Sequence, residues 1–115
     1  MIPEVGYTYD VKVVSVYDGD TITVNVDLGF KIWANKIKVR LWGINTPEIR
    51  GGTAETKARG KMVTEYVRDL ILDKEVVMKS LGQGKYGRWL ALIYIDGVEL
   101  NQHLVDKGYA VEYLR

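Results

Sequence analysis

Thr21-Ile22-Thr23-Val24-Asn25-Val26 alternates polar and apolar side chains, and after a reversal at Asp27-Leu28-Gly29-Phe30 the alternation resumes from Lys36. In the second run Ile37, Val39 and Leu41 share one face, and Lys36, Lys38 and Arg40 share the other. A period of two is the signature of a half-buried strand. Two such runs joined by a reversal predict a β-hairpin with one face on a core. Upstream, the Val-rich segment Tyr9 to Tyr17 predicts another strand, joined to the hairpin by a turn at Asp18-Gly19-Asp20. Downstream, Pro47 has no N–H for a ladder and is expected to end the third strand.

After the loop Arg50-Gly51-Gly52, Thr53 is positioned to cap a helix, with Glu55 in the first turn where the dipole favours an anion. Ala54, Ala58, Met62, Val63, Tyr66, Val67, Leu70 and Ile71 recur at helical spacing and predict one long amphipathic helix facing a core. Gly60 within it invites close approach of a neighbouring element. Glu75 to Ser80 reads as a strand, Leu81-Gly82-Gln83-Gly84 as a flexible loop, and Arg88 to Ile95 as a strongly apolar, central strand. Asp96-Gly97 is a hairpin turn signal. Asn101 is read as the cap of a short helix that Gly108 closes, and Tyr109 to Arg115 as a tail with a last strand. Three strands, a helix, two strands and a short helix predict a mainly β (α+β) chain. The expected architecture is a five-stranded, OB-fold Greek-key barrel with one long and one short helix.

The chain has 115 residues, which fits a single domain over residues 1–115. Sixteen basic residues against 15 acidic ones leave a net charge of +1, so a case for nucleic acid must rest on local placement of charge. The absence of cysteine excludes disulfides, thiolate metal sites and Cys nucleophiles. No apolar run approaches the roughly 20 residues of a membrane span. Met1-Ile2-Pro3-Glu4 has neither the basic nor the apolar part of an export signal, so none is expected in this chain, and the compartment stays open.

Three clusters carry chemistry: Tyr17-Asp18-Gly19-Asp20-Thr21; Val39-Arg40-Leu41-Trp42-Gly43-Ile44-Asn45-Thr46-Pro47-Glu48; and Lys85-Tyr86-Gly87-Arg88. Alone, Asp-Gly-Asp is a turn with two solvated carboxylates, and Asn-Thr-Pro-Glu is a strand-ending turn. If the strands ending at Asp18 and Asn45 are neighbours, their oxygens converge on one hard cation. Arg40 alone is an outward, solvated charge. Arg88 opens a buried strand, so it is expected at the rim with an anionic partner. Two guanidinium forks beside a cation and a carboxylate make a phosphate site. Tyr9, Trp33, Trp42, Tyr86 and Trp89 are candidate stacking groups. Packing is the expected role for Trp42, and Trp33 is the one expected to be exposed. His103, the sole histidine, is expected to pack rather than catalyse, and Met62 and Met78 read as core.

Taken together, Asp18 to Thr21, Val39 to Leu41 with Thr46-Pro47-Glu48, Lys85 to Arg88 with Leu90-Ala91, and Asn101 with Leu104-Val105 and Gly108 to Ala110 resemble the staphylococcal nuclease family. The resemblance runs from about Val13 to Ala110. It implies a single SNase-like barrel domain and Ca²⁺-dependent hydrolysis of phosphodiester bonds in DNA or RNA, acting as a monomer on single-stranded or locally melted chains. A membrane and a nucleotide cofactor are not expected. By resemblance, Asp20 is a metal ligand, Thr46 lends the metal a backbone carbonyl, Arg40 and Arg88 clamp phosphate, and Glu48 is the general base. Lys85 and Tyr86 contact a neighbouring phosphate. The family's second metal carboxylate is here Asn45, an amide oxygen without charge. That leaves an alternative open: a nucleic-acid-binding module with weak or no cleavage.

Overall fold

The computed structural model describes residues 7–47, 52–84 and 87–113. Its elements run β1 (Tyr7–Asp18), β2 (Thr21–Asp27), β3 (Trp33–Leu41), β4 (Ile44–Asn45), α1 (Ala54–Ile71), β5 (Glu75–Gln83), β6 (Trp89–Ile95), β7 (Val98–Glu99), α2 (Leu100–Asp106) and β8 (Val111–Glu112). Antiparallel pairing links β3 to β2, β2 to β1, β1 to β5 and β5 to β6. A parallel pairing of Val39–Leu41 with Trp89–Ala91 then joins β3 to β6 and closes the five-stranded barrel. The predicted fold class holds.

The alternation seen in the sequence sets the register. Ile22, Val24 and Val26 of β2, with Val39 and Leu41 of β3, point inward and are buried with Val11, Val13, Val76, Met78, Ala91 and Ile93. Each such aliphatic side chain contributes roughly 1.5–3 kcal/mol. A one-residue slip of β3 would exchange Val39 and Leu41 for Lys38 and Arg40, so a single register wins. Helix α1 packs on the barrel with Val63, Val67 and Ile71, and α2 with Leu100 and Leu104. Thr53 caps α1 as expected: its side chain accepts from the Thr56 N–H at 3.1 Å. Arg68, in the last turn of α1, donates to the Val16 carbonyl at 3.2 Å and ties the helix to β1.

Several local expectations change. The third strand stops at Leu41 rather than at Pro47. Gly43 at φ +83° turns the chain, and Ile44–Asn45 forms a separate short pair with β8. Strand β5 continues through Leu81-Gly82-Gln83, because Gln83 still pairs with Trp89, so this segment is not a loop. Met62, read as core, is exposed, as are Ala54 and Ala58; the buried stripe of α1 is instead Gly60, Val63, Thr64, Val67 and Ile71. Asn101 does not cap α2. Glu99 does, accepting from the Gln102 N–H at 3.2 Å, while Asn101 lies inside the helix and is buried. His103 packs as expected, with Nε2 2.7 Å from the Tyr66 hydroxyl.

Candidate active site

The β1–β2 turn and the β3–β4 turn meet at one end of the barrel because Thr21 pairs with Arg40. The Leu41 N–H donates to the Asp20 carbonyl at 2.8 Å and fixes the junction. Gly19 lies where both turns approach α1. A β-carbon there would fall 2.7 Å from Val63 Cγ1 and 2.9 Å from Thr46 Oγ1, so only glycine fits. The two hydrophilic turns, separated in sequence, are thereby pressed together.

Asp20, a solvated carboxylate in the simplest reading, is buried. Its Oδ2 accepts from the Thr46 N–H at 2.9 Å and sits 3.1 Å from Arg40 Nη1, while Oδ1 accepts from the Thr21 hydroxyl at 3.1 Å. Arg40 is outward on β3 but half-buried. Its Nη1 also donates to the Leu41 carbonyl at 3.1 Å, and Nη2 donates to Asn45 Oδ1 at 2.8 Å. A guanidinium has five N–H groups. Three are engaged among the described residues, which leaves two for an anion. Arg88, half-buried before β6, lines the same cleft of about 530 Å³, together with Asp18, Asp20, Arg40, Asn45 and Tyr113. Glu48, Lys85 and Tyr86 lie outside the described residues.

Asp18, a candidate oxygen donor of the Asp-Gly-Asp turn, is not among the site residues that the resemblance implies. Burial, first, and then the neighbouring Asp20 carboxylate push its carboxyl up to about 7. Its Oδ1 accepts from the Asp20 N–H at 3.3 Å. The signal was present in the two-residue spacing of Asp18 and Asp20, but a turn gives no hint that it will be buried. Asn101 was read only as a helix cap. Its amide reaches the Trp42 carbonyl at 2.8 Å, and so holds the turn that carries Asn45 and Thr46.

The groups able to hold a hard cation are all oxygens: the Asp18 and Asp20 carboxylates, the Asn45 amide oxygen and Thr46. Two observations fit such an ion. The carboxylates repel each other at low exposure, a repulsion that a cation relieves. Thr46 Oγ1 is buried with no hydrogen-bond partner among the described residues. Among those residues no group of three acidic, His or Cys side chains converges, so the charge of the donor set is low.

Of the stacking candidates, Trp33 and Trp89 are exposed, Trp42 is half-buried in the cleft wall, and Tyr9 packs against the core.

The family model described as staphylococcal nuclease homologue matches residues 38–115. The chain belongs to that family. The match thus covers the end of β3 from Lys38, the β3–β4 turn, Arg88 and the residues up to Arg115. An uncharacterized endonuclease of Haemophilus influenzae is 33% identical over 89% of this chain and 51% of its own length. An uncharacterized protein of Methanocaldococcus jannaschii is 32% identical over 90% of this chain and 58% of its own. A thermonuclease of Staphylococcus hyicus is 29% identical over 86% and 56%. The chain spans about half the length of the curated relatives it matches.

Proposed function

We propose that this domain hydrolyses phosphodiester bonds of DNA or RNA in the Asp20–Arg40–Arg88 cleft with the help of Ca²⁺. The observation that carries the reading is the Asp20–Arg40 pair, its carboxylate buried and its guanidinium half-buried, with Thr46 on the same carboxylate and Arg88 in the same cleft. Structural barrels have no need to bury a carboxylate against a guanidinium beside a second arginine, because desolvating charge is costly.

Asp20, Asn45 and the Thr46 carbonyl are the residues that would hold Ca²⁺, with Asp18 beside them. When bound, the ion would supply positive charge that polarises the phosphoryl group. Arg40, oriented by Asp20 and Asn45, offers its two remaining N–H groups to a non-bridging phosphate oxygen, and Arg88, lining the same cleft, adds a second guanidinium charge. Glu48, two residues past Thr46, takes the proton from a water as that water attacks phosphorus, and the ester oxygen leaves opposite. The negative charge that develops falls between two fixed guanidinium groups, which is electrostatic stabilisation of the transition state.

Hydrolysis of single-stranded DNA and RNA across a Ca²⁺ series, with and without chelator, tests this reading. Cleavage is expected to require the cation and to fall about 100-fold or more in Glu48→Gln and Arg88→Ala. Cleavage that persists in chelator, or in either variant, removes the assigned roles. One observation favours a binding module instead: the Asn45 amide oxygen, the uncharged ligand position, is already engaged by Arg40. Binding of oligonucleotide without turnover at any Ca²⁺ concentration selects that reading.

A further inference from the structure

The β2–β3 ribbon ends in a cluster that the barrel does not use. Phe30 is 96% exposed, and Leu28, Ile32 and Trp33 are exposed beside it. The turn itself is strained: Phe30 at φ +54° and Lys31 at φ +61° both occupy the left-handed region, where Ile32 donates to the Gly29 carbonyl at 2.9 Å. Asn-Gly suits such a turn, and bulky side chains are outliers there. An aromatic residue is therefore held in water, at a conformational cost, where it contributes nothing to packing. Strain of this kind persists at sites that do something other than fold.

The side chains between this tip and the cleft have a common sign. On the outward face of β3, Trp33 is followed by Lys36, Lys38 and then Arg40, which sits in the cleft. Lys36 joins that face through a bulge: Val26 pairs with Ala34 and Val24 with Ile37, so Asn35 and Lys36 both oppose Asn25, whose Oδ1 accepts from the Lys36 N–H at 2.9 Å. The facing row on β2 is Thr21, Thr23, Asn25 and Asp27, mostly neutral and polar. β6 pairs only with Val39–Leu41, so among the described residues the β3 edge from Trp33 to Lys38 is uncovered. From Arg40 to Trp33 is about 23 Å at roughly 3.3 Å per residue.

We infer that the Phe30–Trp33 tip, reached along Lys38 and Lys36, docks the single-stranded polynucleotide several nucleotides from the phosphate held in the cleft. Lysines neutralise its phosphates and the aromatic rings stack its bases, an arrangement indifferent to sequence. Charge complementarity and continuity with the cleft select this occupant. The inference rests on the nuclease reading of the cleft.

The test measures anisotropy of fluorescein-labelled oligothymidylates of about 4 and about 12 nucleotides, in chelator so that nothing is cleaved. The longer strand is expected to bind about 10-fold or more tightly than the shorter. Phe30→Ala with Trp33→Ala should abolish that advantage and leave affinity for the short strand unchanged. Lys36→Gln with Lys38→Gln should lower the salt slope for the longer strand by about 1.4. Phe30→Asn should raise the melting temperature, since it relieves the turn, while weakening only the longer strand; a merely structural role predicts no such split. Equal advantage of the longer strand in all ribbon variants overturns the inference and leaves the nuclease reading intact. So does a tip that binds vesicles of anionic phospholipid, or drives self-association, without any effect on the oligonucleotides. Absence of cleavage at any Ca²⁺ concentration, with no effect of Arg88→Ala on binding of either strand, defeats the nuclease reading and this inference with it.

Discussion

Asn101→Ala should destabilise the domain by about 4 kcal/mol. The side chain is 2% exposed and joins three places at once: Oδ1 accepts from the Ile93 N–H at 3.2 Å, and Nδ2 donates to the carbonyls of Trp42 at 2.8 Å and Ala91 at 3.1 Å. The Ala91 carbonyl also accepts from the Trp42 N–H at 2.9 Å, so it keeps a partner after truncation. The Ile93 N–H and the Trp42 carbonyl lose the partner that the side chain supplies. At about 1–3 kcal/mol for each buried group left unsatisfied, the pair gives roughly 2–6 kcal/mol. That is a large share of the 5–15 kcal/mol typical of a domain. At about 4 °C per kcal/mol for a chain of this size, the melting temperature should fall by roughly 15 °C. Urea denaturation followed by tryptophan fluorescence measures the loss directly. Asn101→Asp is expected to lose at least as much, because it retains the acceptor for Ile93 but sets a carboxylate oxygen against two carbonyls. A loss below about 1 kcal/mol in Asn101→Ala would refute the assignment of Asn101 as the clasp between α2, β6 and the β3–β4 turn.

Three further outcomes are expected. Asn45→Asp restores a charge among the cation's candidate ligands and should tighten Ca²⁺ binding, as affinity follows ligand charge; calorimetric titration giving equal or weaker affinity contradicts the ligand set. Without cation, stability should fall as pH rises from about 4 to about 7, because folded Asp18 keeps a proton that the unfolded chain has released. Fully expressed, that displacement is worth about 4 kcal/mol, and solvent screening of the half-buried side chain brings it to about 2 kcal/mol. Asp18→Asn should flatten the profile, and an unchanged slope would show that Asp18 is not the titrating group. Gly19→Ala presses a methyl group on Val63 and Thr46 and should cost roughly 1–3 kcal/mol by overpacking; unfolding curves that superimpose on the parent would show that the turn yields freely.

The barrel was legible because its determinants are local. Ile22, Val24 and Val26, and then Ile37, Val39 and Leu41, announce strands by their period, and the stripe from Val63 to Ile71 announces the helix. Thr53 worked as a cap for the same reason: its partner, Thr56, lies one turn away. Asn101 misled because a side chain that suits a cap also suits a buried clasp. The difference lies in Trp42 and Ala91, which are 59 and 10 residues distant in sequence. Met62 misled because helical spacing fixes the apolar stripe only to within a residue or two at its edge, and the exact face that a helix turns to the barrel is a matter of tertiary packing.

The candidate site divides along the same line. Its residue types were fixed by the chain itself, since carboxylates, guanidinium groups and a proline-ended turn have their chemistry wherever they lie. Their environment was decided by closure of the barrel, which buried Asp20 against Arg40, raised Asp18 by desolvation and left the Thr46 hydroxyl without a partner among the described residues. The same closure left Phe30 in water on a strained turn. Alternation of side chains is written in nearest neighbours, whereas burial depends on which distant segments come together, and only the folded chain brings residues 18, 40, 45 and 88 to one cleft.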